Sequence, residues 1–242
     1  MSNWMREASG GDMKPTGAVA MPAATVAVLR DGEHGVEVLM GRRSSKMNFH
    51  GGAWVFPGGR VDDTDWAGAS DILAAARNAA VREAQEEAGV LVLHDSLVHL
   101  SNWTTPDISP KRFATWFFAG ALSADSGEAV ADGVESDALR WLNPDVAMQE
   151  CHDRVIDLAP PQYVTMVALT GFGDVAEALA GIERAESLHF EPRIHFRDSG
   201  AIAIYGGDVA YLDAEAVDEL TPRHRLTMHR DQPWVYEDSR EA

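Results

Sequence analysis

Arg82-Glu83-Ala84-Gln85-Glu86-Glu87-Ala88-Gly89-Val90 closes a run that starts at Asp71 and is rich in Ala, Leu, Arg and Glu, with no Pro or Gly before Gly89. That run predicts a helix over 71–88, capped at its start by Ser70 or Asp71 and stopped by Gly89 as a C′ glycine. Glu83, Glu86 and Glu87 then stand at i, i+3 and i+4, one turn apart on one face. They repel one another, and they occupy the last turn, where the helix dipole disfavours negative charge. An acidic helix end by itself is ordinarily a solvated one. Here Ala76, Ala79 and Ala80 precede it on the same face, and small residues let another segment approach closely. Clustered oxygen-only donors suit a hard divalent cation, Mg²⁺ or Mn²⁺.

Outward from this helix, strands and helices alternate. Ala23 to Leu29 is apolar and partly β-branched and reads as a buried strand, with Val36 to Met40 as its hairpin partner across Asp31–Gly35. A short strand, Ala53 to Phe56, leads into the turn Pro57-Gly58-Gly59. Further strands are predicted over 90–98, 113–122 and 138–142. Beyond the break at Pro160-Pro161, 163–169 and 175–187 read as helices, and 189–211 as two strands around Asp198-Ser199-Gly200. The pattern predicts an α/β chain with a mixed sheet. Residues 1–17 are expected to be a disordered tail, 18–150 the main domain, and 151–242 an α+β extension packed on it.

The 242 residues carry 20 Lys+Arg against 38 Asp+Glu, a formal net charge of −18. Such a balance disfavours DNA, RNA or an anionic membrane as partner, because those surfaces are held by clustered cations. It leaves room for a small phosphorylated ligand bridged by a metal ion. Cys151 is the single cysteine, so there is no intrachain disulfide. That fits a reducing, cytoplasmic setting. No apolar run approaches the roughly 18 residues of a membrane span. The first residues lack the apolar core of a secretory signal.

The stretch Phe56-Pro57-Gly58-Gly59 followed by Arg82 to Val90 resembles the Nudix hydrolase box, G-x5-E-x7-R-E-U-x-E-E-x-G-U, where U is aliphatic. Ala84 is a small stand-in for the first aliphatic residue of the second half. The middle departs from the pattern: 22 residues, Arg60 to Val81, separate Gly59 from Arg82 where the family has 13. A subset of the family, including CoA-cleaving members, carries such insertions. Ala74 stands where the family has Glu, and Asp62, Asp63 and Asp65 are the candidates to replace it. The resemblance implies a Nudix-type α/β/α sandwich and hydrolysis of a diphosphate linkage in a nucleoside diphosphate joined to a moiety X. It implies Mg²⁺ or Mn²⁺ held by Glu83, Glu86, Glu87 and the carbonyl of Gly59. Glu86 or Glu135 is the candidate general base, Glu135 because many members place a loop Glu six residues before a strand Trp, here Trp141. Arg82 is expected to orient the carboxylates through an i,i+4 contact with Glu86. Homodimers are frequent in the family.

Leu39 to Gly59 is similar to the signature of coenzyme A diphosphatases, L-L-T-x-R-S-x3-R-x3-G-x3-F-P-G-G. Leu39, Arg43, Ser44, Gly52 and the FPGG fall in register, while Gly41 replaces Thr and Asn48 replaces the second Arg. The implied substrate is CoA or acyl-CoA, with ADP-ribose, NADH and other nucleotides as alternatives. Candidate substrate contacts are Arg43, Lys46, Gly58, Arg60 and Arg112, with Trp103 as a stacking surface for a base. Arg223-His224-Arg225 with His229-Arg230 reads as a solvated surface strip, and Cys151 as inert. A non-catalytic Nudix-fold sensor is the competing reading. Retention of all three box glutamates favours the enzyme.

Overall fold

The computed structural model describes residues 15–44, 51–218 and 221–240. Strand β1 (Met21–Gly32) is the centre of an eight-stranded mixed sheet. It pairs antiparallel with β2 (Gly35–Arg43) through a tight turn and parallel with β6 (Phe113–Ala121). Being bonded on both sides, β1 is buried on both faces from Ala23 to Leu29, which is why it reads as a continuous apolar run rather than an alternating one. The main order is β3 (Trp54–Val55), β2, β1, β6, β5 (Val98–Thr104), β8 (Leu188–Phe190). β4 (Gly58–Arg60) pairs with β1, and β7 (Ser136–Leu142) pairs with β2.

Helix α1 (Ile72–Ala88) covers one face. Its Asp71 side chain caps the Ala74 N–H, and Gly89, at φ 67°, ends it in the left-handed region. The alanine stripe Ala76, Ala79, Ala80 and Ala84 is fully buried on Ala24, Val26, Val28 and Phe118. Without bulk beyond Cβ, this helix sits close to the sheet, and its last turn lies close to β4. The other face is covered by α2 (Pro144–His152), α3 (Pro160–Leu169) and α4 (Val175–Arg184), completing the α/β/α sandwich.

The strand expected over 90–98 is corrected. Val92 makes one isolated bridge to Leu122, His94–Ser96 is a 3-10 turn, and the strand begins at Val98. The Ser96 hydroxyl donates to the Leu93 carbonyl, a local bond that competes with the ladder. Helix α2 was not anticipated, although Asn143 caps it and Pro144 opens it.

The chain after residue 150 shares the main core. β8 adds in parallel to the sheet edge at β5, and a second antiparallel sheet follows in the order β12 (Val235–Asp238), β11 (His224–His229), β10 (Gly200–Ile204), β9 (Arg193–Arg197). Trp103 of β5 is 4% exposed and stacks on Phe190 of β8 with centroids 4.0 Å apart. Tyr205, buried against both rings, and His224 continue the cluster into the second sheet. Beneath it, Asp208 receives both ends of the Arg225 guanidinium, 2.7 and 2.6 Å, in a pair almost closed to solvent. Thus Arg223-His224-Arg225 is not a solvated strip: His224 and Arg225 are interior groups.

Truncating Trp103 to Ala is expected to cost about 3–5 kcal/mol, the usual range for emptying a large aromatic site in a core. Urea titration followed by far-UV circular dichroism measures it, and a loss below about 1 kcal/mol would show that the sheets do not depend on this stack.

Candidate functional site

Three segments meet at the C-terminal end of α1: the glycine strand β4, the segment between β4 and the helix, and the loop leading into β7. β4 lies against β1 with Gly58 opposite Thr25 and Gly59 opposite Ala24. A Cβ on Gly58 would fall 2.5 Å from the Ala24 carbonyl oxygen, and one on Gly59 would collide with the Glu83 carboxylate. Both positions need glycine for space, so that backbone can come up against the helix carboxylates. The Gly58 N–H donates to Glu87 Oε2 at 3.1 Å.

Arg82 organises the helix side. Its Nη1 donates to Glu83 Oε1 and to Glu86 Oε2, each at 2.8 Å. Its other edge grips Asp65 in a two-point pair, Nε to Oδ1 at 3.0 Å and Nη2 to Oδ2 at 2.9 Å, and Nη2 also reaches the Arg60 carbonyl. Asp65 is 4% exposed, receives the Asp62 N–H, and passes its own carbonyl to Asn78. Burial works against its charge, yet the bonds from Arg82 and Asp62 outweigh it and hold its carboxyl below the ordinary range. Of the three candidates for the missing box carboxylate, Asp65 is the one the fold brings to Arg82. Ala74 lies within α1, eight residues before Arg82, so a carboxylate there would stand about 12 Å away along the axis.

Glu83 and Glu87 are the strained charges. Burial raises both; repulsion from Glu135 adds to each, and the Arg82 contacts relieve Glu83 only in part. Glu87, 7% exposed, is pushed up to about 8, opposed by the Gly58 N–H and, at longer range, by Arg43. Glu86 is the exposed member of the trio. Glu135 is exposed on the loop before β7, with its carbonyl bonded to the Ser44 N–H, and it faces Glu83 and Glu87 closely enough to act on both. Among the described residues, no three His, Cys, Asp or Glu side chains are drawn together at metal-holding distance. The reason is visible: Glu83 and Glu86 turn to Arg82, and Glu87 turns to Gly58.

Of the candidate substrate contacts, Arg43 ends β2 beside the site and Gly58 is within it, while the exposed Arg60 lends Arg82 its carbonyl. Lys46 lies outside the described residues. Trp103 is corrected: its faces are taken by Phe190 and the surrounding core, so a base has no ring to stack on. Arg112 is also corrected. Its guanidinium is spent on the Thr105 and Ala18 carbonyls and on Glu191 at 3.0 Å, where it ties down the chain ahead of β1. In sequence, an Arg beside a Thr-Pro segment does not distinguish these roles.

The raised Glu87 gives a sign for pH dependence. Its carboxyl titrates near 4.5 when unfolded and at about 8 when folded, so between those values the folded state holds the extra proton. Its contribution to stability is therefore greatest below about 4.5 and is lost as pH rises to about 8. In EDTA, Glu87→Gln is expected to gain Tm relative to the parent protein as pH goes from 5 to 8. Parallel Tm profiles would overturn the assignment.

Residues 20–159 match the NUDIX domain family. A Caenorhabditis elegans protein described as a nudix hydrolase is 23% identical over 245 residues, covering 80% of this chain and 81% of its own length. The crystal structure of a NUDIX hydrolase from Alicyclobacillus acidocaldarius superposes with a TM-score of 0.62 at 24% identity, over 68% of this chain and 97% of that one. Among the described residues no helix is long and apolar enough to cross a membrane. With the family match spanning more than half of its length, and with the glycine strand and glutamate helix set face to face, this chain belongs to the Nudix hydrolase family.

Proposed function

We propose that this protein hydrolyses a diphosphate linkage in a nucleoside diphosphate-X substrate with the aid of Mg²⁺ or Mn²⁺, and that X is the pantetheine portion of CoA or an acyl-CoA. The observation that carries the first part is the pair of mutually repelling carboxylates, half-buried Glu83 and buried Glu87, against a glycine backbone. Carboxylates forced into this position gain from a hard divalent cation, and an all-oxygen donor set fits Mg²⁺ or Mn²⁺. Glu83, Glu87 and the Gly59 carbonyl would hold the ion, with Glu86 at its exposed side. When bound, such an ion supplies charge neutralisation at the phosphate oxygens and makes water a stronger acid.

The remaining work falls to side chains. Glu86 or Glu135 accepts the proton of the attacking water. Arg82 touches the carboxylates rather than substrate, and Asp65 anchors Arg82 from behind, so its guanidinium cannot swing away from Glu83. Arg43, at the end of β2, would meet a phosphate oxygen. Support for CoA comes from Leu39, Arg43, Ser44, Gly52 and the FPGG, which keep the register of the CoA-type signature. ADP-ribose, NADH and dinucleoside polyphosphates are the comparators.

Purified protein with Mg²⁺ or Mn²⁺ is expected to release phosphopantetheine and adenosine 3′,5′-bisphosphate from CoA. No product from CoA or any comparator would refute hydrolysis; product from a comparator alone would refute CoA. Glu87→Gln should abolish turnover in a protein that still folds. For Asp65→Asn the expected loss in kcat/KM is about 10–100-fold, the scale for groups that orient metal ligands. Activity equal to the parent protein's would remove Asp65 from the machinery.

A further inference from the structure

A cavity of about 940 Å³ opens between the end of β2, β7, the segment after α2 and the turn joining β11 to β12. Its volume lies within the range of small-molecule sites. In a chain of net charge −18, its walls hold Arg42, Arg43, Arg140, Arg154 and Arg230. The acids among them are Asp137, Asp157 and Asp231. Trp54 and Trp234 supply aromatic walls, and the Arg140 guanidinium lies 5.5 Å from the Trp54 ring centre.

Three of the arginines are already neutralised: Arg42 by Asp137 at 2.6 Å, Arg140 by Glu150 at 2.7 Å, and Arg154 by Asp231 at 3.0 Å. Among the described residues, Arg43 and Arg230 have no ion pair, and the buried Nε of Arg43 has no hydrogen-bond acceptor. A buried N–H without an acceptor is costly, and the oxygens of a phosphate, like those of a carboxylate, fit a guanidinium fork. Arg154 closes the end of α2 in the left-handed region, φ 61°, with the Val155 N–H bonded back to the Glu150 carbonyl, and its guanidinium reaches across to the Arg230 carbonyl.

Arg43 belongs to both places. It lines this cavity, and its charge also acts on Glu87. The next residue, Ser44, is bonded to Glu135. Arg43 is thus the residue common to the cavity and to the surroundings of the box glutamates. We propose that this cavity is a second anion subsite, which takes a phosphate monoester carried on the nucleoside of the substrate in addition to the scissile diphosphate. The C-terminal extension, through Arg230 and Trp234, supplies one wall of it. This inference rests on the diphosphohydrolase reading and narrows its substrates to nucleotides bearing such an extra phosphate.

Isothermal titration with adenosine 3′,5′-bisphosphate, adenosine 2′,5′-bisphosphate and AMP tests the subsite without any turnover. At least one bisphosphate is expected to bind the parent protein about tenfold or more tighter than AMP, the scale of one charge-assisted contact. Arg230→Ala should reduce that preference, and Arg230→Lys should restore part of what Arg230→Ala loses. Equal affinity for AMP and both bisphosphates, or a preference untouched by Arg230→Ala, would overturn the proposal. In parallel, kcat/KM is compared for CoA against 3′-dephospho-CoA and for NADPH against NADH. Preference for the phosphorylated member supports the subsite, and equal values count against it. If none of these four, nor ADP-ribose or a dinucleoside polyphosphate, is cleaved, the hydrolase reading fails, and the titrations still decide whether the cavity binds the extra phosphate.

Discussion

Arg82 sits where three acidic side chains would otherwise repel one another. Two of its edges are occupied at once: one holds Glu83 and Glu86, and the other grips Asp65. Burial makes the arrangement consequential, because Asp65 is almost closed to solvent and its carboxylate with no partner there would be expensive. With Arg82 pinned from behind, the carboxylates of the last helical turn keep a defined direction, and β4 can lie against them without a side chain at Gly58 or Gly59. The rest of the fold serves this contact. The alanine stripe brings α1 close to the sheet, and β1 holds β4 at the right height.

The segment between β4 and α1 carries the carboxylate that meets Arg82 in a 3-10 turn, Asp63–Trp66, rather than in the helix. That pairing is invisible to a spacing rule, since Asp62, Asp63 and Asp65 are equal candidates by type. Only packing separates them: Asp65 alone of the three is buried.

The second half of the chain is joined to the first by aromatic stacking and by strand pairing at the sheet edge. Trp103, Phe190, Tyr205 and His224 form one cluster across both sheets. This use of Trp103 explains why reading it as a stacking surface fails: an aromatic on a strand beside a cleft and an aromatic in a core have the same local sequence. His229-Arg230 met the opposite fate to its neighbours Arg223-His224-Arg225. One run of basic residues was divided by the β11 ladder into an interior pair with Asp208 and a rim for the arginine-lined cavity.

Much of the glutamate-bearing helix was legible from residue order alone. Its caps, its acidic face and its alanine stripe are local properties, set by a 3.6-residue period and by the backbone freedom of Gly89. The central hairpin was legible for the same reason, because a strand buried on both faces must be apolar throughout. What lay beyond sequence was every role that depends on a partner distant along the chain. Which aspartate meets Arg82, that Arg112 is consumed by carbonyls, and that arginines from positions 42 to 230 gather in one cavity were decided by tertiary structure. Burial and ion pairing between remote residues leave no periodic trace in the residues themselves.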